Sequence, residues 1–404
     1  MTITPRLKLL LGAVSILVSA ILLGWLLYAI IFRPAPIINE GTVTDGTEDT
    51  NQGTLTLSDE AHDRQPTETT TETGGLPSSV ANGGETFTQR LTSSGVESSI
   101  LINGDSIAYF DPTDGRFYMI NENGDVVMLS SAQFLGAETI VFADTADIVA
   151  IEFPDGTNIL YNFVTENQVT LPSHWEDFEF SSTGEQVLSK VTSSDPNSNA
   201  LIVTSSDGSQ TNVIARLGQN ADDVTVNWSP NNNVVGFSET GSAQSGFGRD
   251  QIYLIGADGE DAGALVVEGA NFSAIWSPNG NNILYSVALA SNDDKPSLWY
   301  TNATGSVGSE RIRLSVETWV EKCTFNSSET IICAVPQEVM AGSGIDSRLI
   351  KSYDDVYEIN LATGRASLLA TTVLDLKMFN LAVSDDGTIL YFSDQYDRLN
   401  YMNL

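Results

Sequence analysis

The chain of 404 residues carries 52 acidic and 18 basic side chains, a formal net charge of −34. One long domain with appendages fits that length, and a charged fraction of only 17% leaves enough apolar sequence for a core. A surface so short of Lys and Arg repels polyanions, which argues against nucleic acid as a partner.

The first element is a run of 24 residues, 9–32, without a charge. At about 1.5 Å per helical residue it reaches about 36 Å, enough for a hydrocarbon core of about 30 Å. Arg6 and Lys8 precede it, Arg33 follows, and ten acids against the single base Arg64 occupy residues 34–85. The positive-inside rule then keeps residues 1–8 in the cytoplasm and puts the bulk of the chain outside, in the cell membrane by a single pass. A cleaved signal peptide is the rival reading, but its only small-residue site, Val18-Ser19-Ala20, falls inside the apolar run. Residues 33–85, rich in Thr, Glu and Gly, bury too little to offset their ordering entropy and read as a flexible linker.

From residue 86 one phrase recurs. Its clearest copy is Trp276-Ser277-Pro278-Asn279-Gly280, leading into Ile283-Leu284-Tyr285. An aromatic residue closes one strand, Pro and Gly set a tight turn, and an apolar run opens the next strand. Other copies begin at Phe180, Trp228, Phe325 and Val383, with steps of 48, 48, 49 and 58 residues; weaker copies begin at Phe142 and Ile102. Such a period with four strand signals per unit predicts an all-β fold, a β-propeller of seven blades, although six or eight also fit the degenerate upstream copies. A β-sandwich with similar turns is the alternative.

The phrase resembles the repeat of TolB-like, WD-like propellers over residues 86–404. That resemblance implies a scaffold or binding fold. The small α/β domain that precedes the ring in that family is absent, so its Tol-Pal role is not carried over. Membrane-anchored propeller peptidases are a weaker likeness, since their hydrolase domain would follow Leu404.

The blades are expected at about 98–131, 138–171, 173–217, 222–268, 270–316 and 318–371, with the seventh starting near Leu376. The seventh holds only three strand signals. The missing strand is expected from Thr86–Thr92, closing the ring with the N-terminal end.

Functional signals are sparse. The loops joining second to third strands lengthen in blades three to six, at 193–199, 239–250, 288–296 and above all Gln337–Ser352. Insertions gathered on one face mark a binding surface. Val339, Met340, Ile345 and Arg348 are expected to contact a partner, with Phe247 and Arg249 as a second group; a mobile insertion packed on its own blade is the competing reading. Cys323 and Cys333 flank a turn centred on Ser328, so they face each other as a cross-strand disulfide or as two buried thiols.

Chemistry is harder to find. The two His residues, His62 and His174, give no Ser-His-Asp grouping, and no metal or cofactor motif appears. The sequence therefore reads as a non-catalytic module binding a protein or a cell-envelope polymer. The alternative is an envelope carbohydrate-active enzyme with carboxylates in its axial channel.

Overall fold

The structure, a computed structural model, describes residues 77–245 and 248–404. The expected membrane span, most of the linker and His62 lie outside the described residues. Among the described residues no helix is long and apolar enough to cross a membrane.

Seven antiparallel sheets follow one another along the chain, spanning 98–128, 139–171, 175–216, 224–268, 270–313, 323–372 and 379–403. The chain is a seven-bladed β-propeller. Each boundary falls within a few residues of its expected place. The first strands of neighbouring blades approach one another and line a common axis.

The repeated phrase has a shared local cause. In four blades its serine is buried and its hydroxyl accepts the backbone N–H five residues on: Gln186 to Ser181 (3.2 Å), Val234 to Ser229 (2.9 Å), Asn282 to Ser277 (3.0 Å) and Ile389 to Ser384 (2.9 Å). The serine thus ties the turn to the start of the second strand. In the clearest copy Gly280 has φ +67°, and a Cβ there would meet Asn231 of the preceding blade at 2.6 Å, so the glycine also permits the close approach of adjacent turns.

The core is distributed. Seven buried apolar clusters match seven blade-to-blade seams. Phe110, Phe117 and Phe142 join blades one and two, for example, and Ile332, Val356, Leu390 and Phe392 join six and seven. Second strands contribute most, because both faces of a middle strand meet another blade: Ile148–Glu152 and Asn282–Leu289 are almost wholly buried.

The N-terminal end closes the ring, over a shorter span than expected. Gln89 and Arg90 pair with the last strand, against Tyr401 and Asn400, and the Leu91 N–H donates to the Leu399 carbonyl at 2.8 Å. Thr92 adds a buried bond, its hydroxyl accepting the Leu399 N–H at 3.0 Å. The start of the expected strand behaves differently. Gly84–Thr86 runs parallel to Ala370–Thr372 and makes a fifth strand on blade six. The entering chain therefore stitches blade six before it completes blade seven.

Cys323 and Cys333 are register partners on the first two strands of blade six, their sulfurs 2.10 Å apart and their Cα atoms 4.1 Å apart. Both sit in the apolar seam with blade five.

Candidate functional site

The second-to-third-strand loops of blades three to six lie on one face, and the loop of blade six is the largest. After Pro336 the chain makes two short 3-10 turns, Ser343–Ile345 and Ser347–Leu349, before the next strand begins at Asp354. The loop does not pack on its own blade alone. Gly342 and Gly344 donate their N–H groups to the carbonyls of Asp293 (2.7 Å) and Asp294 (2.8 Å) in the blade-five loop. The Gly344 carbonyl accepts the indole N–H of buried Trp319, and the Ile345 carbonyl accepts the Asn271 amide at 2.9 Å. On the other side Arg348 reaches blade seven, 3.3 Å from Asp397 and over the ring of Phe379, whose ring also receives Lys322. Lys322 in turn is ion-paired at 2.7 Å with Asp354, and neither side chain reaches solvent.

Pinned at both sides, the loop still presents large apolar groups to water. Met340 is 51% exposed, Ile345 70% and Leu349 73%. Leu349 was not among the sequence-derived contacts, although it directly follows Arg348 in the same apolar-basic run. Val339 is half-buried. Arg249 is engaged with Glu268 at 3.3 Å, and Phe247 lies outside the described residues. The structure thus gathers Met340, Ile345 and Arg348 on one loop and leaves Arg249 apart, at the start of the third strand of blade four.

The same face opens into the axial channel. A cavity of about 490 Å³ is lined by first strands of blades one, two and seven, with Glu97, Glu138, Asn380 and Arg348 among its polar groups. Three first strands carry a bulge at this mouth. Asp177, Asn271 and Asn380 each take a left-handed backbone (φ +55°, +58° and +51°) where the register slips. Bulges re-aim side chains next to binding sites, and Asp and Asn tolerate that backbone best after Gly. No periodic reading of apolar residues reveals them. The available signal is a short polar residue ahead of an inward apolar one, in Asp177-Phe178, Asn271-Phe272 and Asn380-Leu381.

Carboxylates continue down the channel. Lys190 Nζ lies 2.7 Å from Asp177 and 3.6 Å from Glu176. Nearby, Glu152 is pushed up to about 7 by burial and by Asp177, Glu176 and Glu138. At the opposite mouth, on the face of the short turns, a cavity of about 370 Å³ holds Asp144, Glu179, Asn227, Trp228, Ile275 and Trp276. One oxygen of Glu179 accepts the Trp228 N–H at 2.8 Å. Burial pushes this carboxyl up to about 7, the amide bond opposes the rise, and Asp144 adds to it. Burial also raises Asp144. These residues come from blades two to five, which is why no single stretch of sequence announced them. His174 is exposed at the start of blade three. Among the described residues, no three His, Cys, Asp or Glu side chains converge as a metal site would require.

No family model and no curated relative matches the chain. Solved structures do. A chain of a mitotic checkpoint complex is 11% identical with a TM-score of 0.54, covering 88% of this chain and 99% of that one. The β-propeller domain of Myceliophteria thermophila Cps50 (Swd1) is 9% identical with a TM-score of 0.52, covering 78% and 99%. An oligogalacturonate lyase in complex with manganese is 12% identical with a TM-score of 0.49, covering 78% and 92%. Likeness at this level shows the propeller fold alone. That fold is compatible with a binding module.

Proposed function

We propose that this protein is a membrane-anchored, extracytoplasmic binding module of TolB-like repeat type. In this reading residues 9–32 hold it in the cell membrane, residues 33–85 act as a tether, and the ring binds a protein or envelope polymer without chemistry. The observation that carries the binding reading is the blade-six loop. Its backbone is fixed to blades five and seven, so little ordering entropy remains to be lost on binding. Its tip nevertheless keeps Met340, Ile345 and Leu349 in water, where single large apolar groups beside Arg348 form an anchor of the kind that dominates interface energetics.

The test is a crosslinking pull-down from intact cells, comparing the wild-type chain with a Met340→Ser, Ile345→Ser, Leu349→Ser variant. These side chains lie outside the pinning bonds, so the variant keeps the ring. A partner recovered with the wild type and lost with the variant supports the reading. The same partners recovered with both would remove the loop face as the contact surface. Protease added outside intact cells should digest the linker and release the ring; a ring that stays cell-bound and protected contradicts the proposed address.

The second reading, a carbohydrate-active enzyme, draws on Asp144 and Glu179 in the turn-side cavity, two carboxylates with raised pKa among aromatic walls. Glycan turnover that persists in the loop variant and disappears in Glu179→Gln would favour it.

A further inference from the structure

The turn-side mouth of the axial channel holds a carboxylate whose surroundings are incomplete. Glu179 enters from the first strand of blade three, and its Trp228 bond fixes one oxygen. The second oxygen has no partner among the described residues and is not sealed off, so it opens on the cavity. Asp144 faces the same space from blade two. The charged groups around Glu179 are Asp144, Asp177 and Lys190 from blades two and three and Asp222 ahead of blade four. Lys190 is committed to Asp177 and Glu176. Blades four and five offer Asn227 and Trp228, just after a first strand, and Ile275 and Trp276, which carry no charge, and the Asn227 amide is used on the Ala274 carbonyl. The cavity is thus an apolar-walled space with two carboxylates and no cation on its lining.

We propose that this cavity binds an alkylammonium group, either a lysine side chain of a partner or a free polyamine. The ammonium would donate to the open oxygen of Glu179 and to Asp144. Its alkyl stem would lie along Ile275 and the two indoles, which also attract a cation. The acidic field of the chain, at −34, draws cations toward such a low-dielectric opening. The inference rests on the ring being a binding module but not on the blade-six loop.

Binding of this kind is linked to a proton. An ammonium favours the ionised carboxylate, and Glu179 is half protonated near neutrality in the free protein. Only the ionised fraction is competent, so affinity should be about tenfold higher at pH 8 than at pH 6, while the amine stays charged throughout.

The experiment is isothermal titration of the full-length chain in non-ionic detergent at physiological salt. The probes are spermidine, an acetylated and amidated lysine-containing peptide, and a neutral monosaccharide. One saturable site for spermidine or the peptide, tightening from pH 6 to pH 8 and losing that pH dependence in Glu179→Gln, is the expected result. Asp144→Asn should weaken it severalfold. Gln keeps an acceptor for the Trp228 amide, and matching thermal melts confirm that the variant folds. Spermidine binding without peptide binding assigns a free polyamine, and the reverse assigns a partner's lysine. Equal heats from wild type and Glu179→Gln, a neutral sugar binding in place of the amines, or no saturable site would each overturn the proposal. The serine-substituted loop variant should still bind the amine; recovery of the same partners with it in cell crosslinking would therefore count only against the loop surface.

Discussion

Trp319 donates its indole N–H to the Gly344 carbonyl over 3.1 Å, and this buried bond fastens the long Gln337–Ser352 loop to the base of blade six. Trp319→Phe removes the donor and leaves the Gly344 carbonyl with only the longer bond from the Asn271 amide, at 3.3 Å. It should cost about 1 kcal/mol, the net worth of one hydrogen bond. Hydrogen exchange should rise at 342–346 while the strands of blades one to three keep their protection. Unchanged protection at 342–346 would mean that the glycine bonds to Asp293 and Asp294 hold the loop unaided.

Ring closure rests on few residues. Gln89, Arg90, Leu91 and Thr92 pair along the outer side of Leu399–Asn403, and Ala81 adds a bond to the Asn403 carbonyl. A chain that starts at residue 93 should expose that edge, melt at lower temperature and self-associate, compared with one that starts at residue 77. Equal melting and a monomeric profile for both would show that the seam between blades seven and one closes without the strand.

The raised carboxyl of Glu179 also makes a sign-specific prediction for stability. Its pKa is about 7 in the folded chain against an ordinary 4.5. Between those values the folded state holds more protons than the unfolded one, so this group's contribution is fully present below 4.5 and is lost as pH rises through 7. Glu179→Gln removes the titration. Relative to wild type the variant should gain in melting temperature on going from pH 5 to pH 8. A difference between the two that stays constant across that window contradicts a buried carboxylate with no cation beside it.

The Cys323–Cys333 pair closes a short loop of sequence separation 10. In the chain-entropy model such a link contributes about 2–3 kcal/mol. Thiol titration of the unreduced, unfolded chain should find no free thiol, and two after reductant. Cys323→Ala with Cys333→Ala should lower the melting temperature and raise exchange first in blade six. Two reactive thiols in the unreduced chain would refute the bond.

The blades were legible because each phrase combines local turn chemistry with alternation of apolar residues, and both are written in neighbouring positions. Ser229 and Ser277 show why the phrase repeats: the hydroxyl bond to the fifth residue on needs that side chain at that place. The extra strand Gly84–Thr86 was not legible, since three residues without an apolar pattern owe their place to the edge of Ala370–Thr372. The channel groups were hidden for a different reason. Asp144, Glu179 and Trp276 lie far apart in sequence and meet only because the first strands of separate blades face one axis. The loop of blade six was recognisable by its length, yet its attachment to Asn271, Asp294 and Asp397 depends on contacts that no spacing encodes.

The central claim is that the ring binds a partner through the blade-six loop outside the membrane. Its most direct test is site-specific photo-crosslinking in intact cells, with the reactive side chain placed at position 345 and, as a control, at exposed Val164. A discrete adduct is expected from position 345, absent from position 164 and abolished by Met340→Ser with Leu349→Ser. Adducts of equal yield from both positions, or none from 345 while the protein is present at the cell surface, would contradict it.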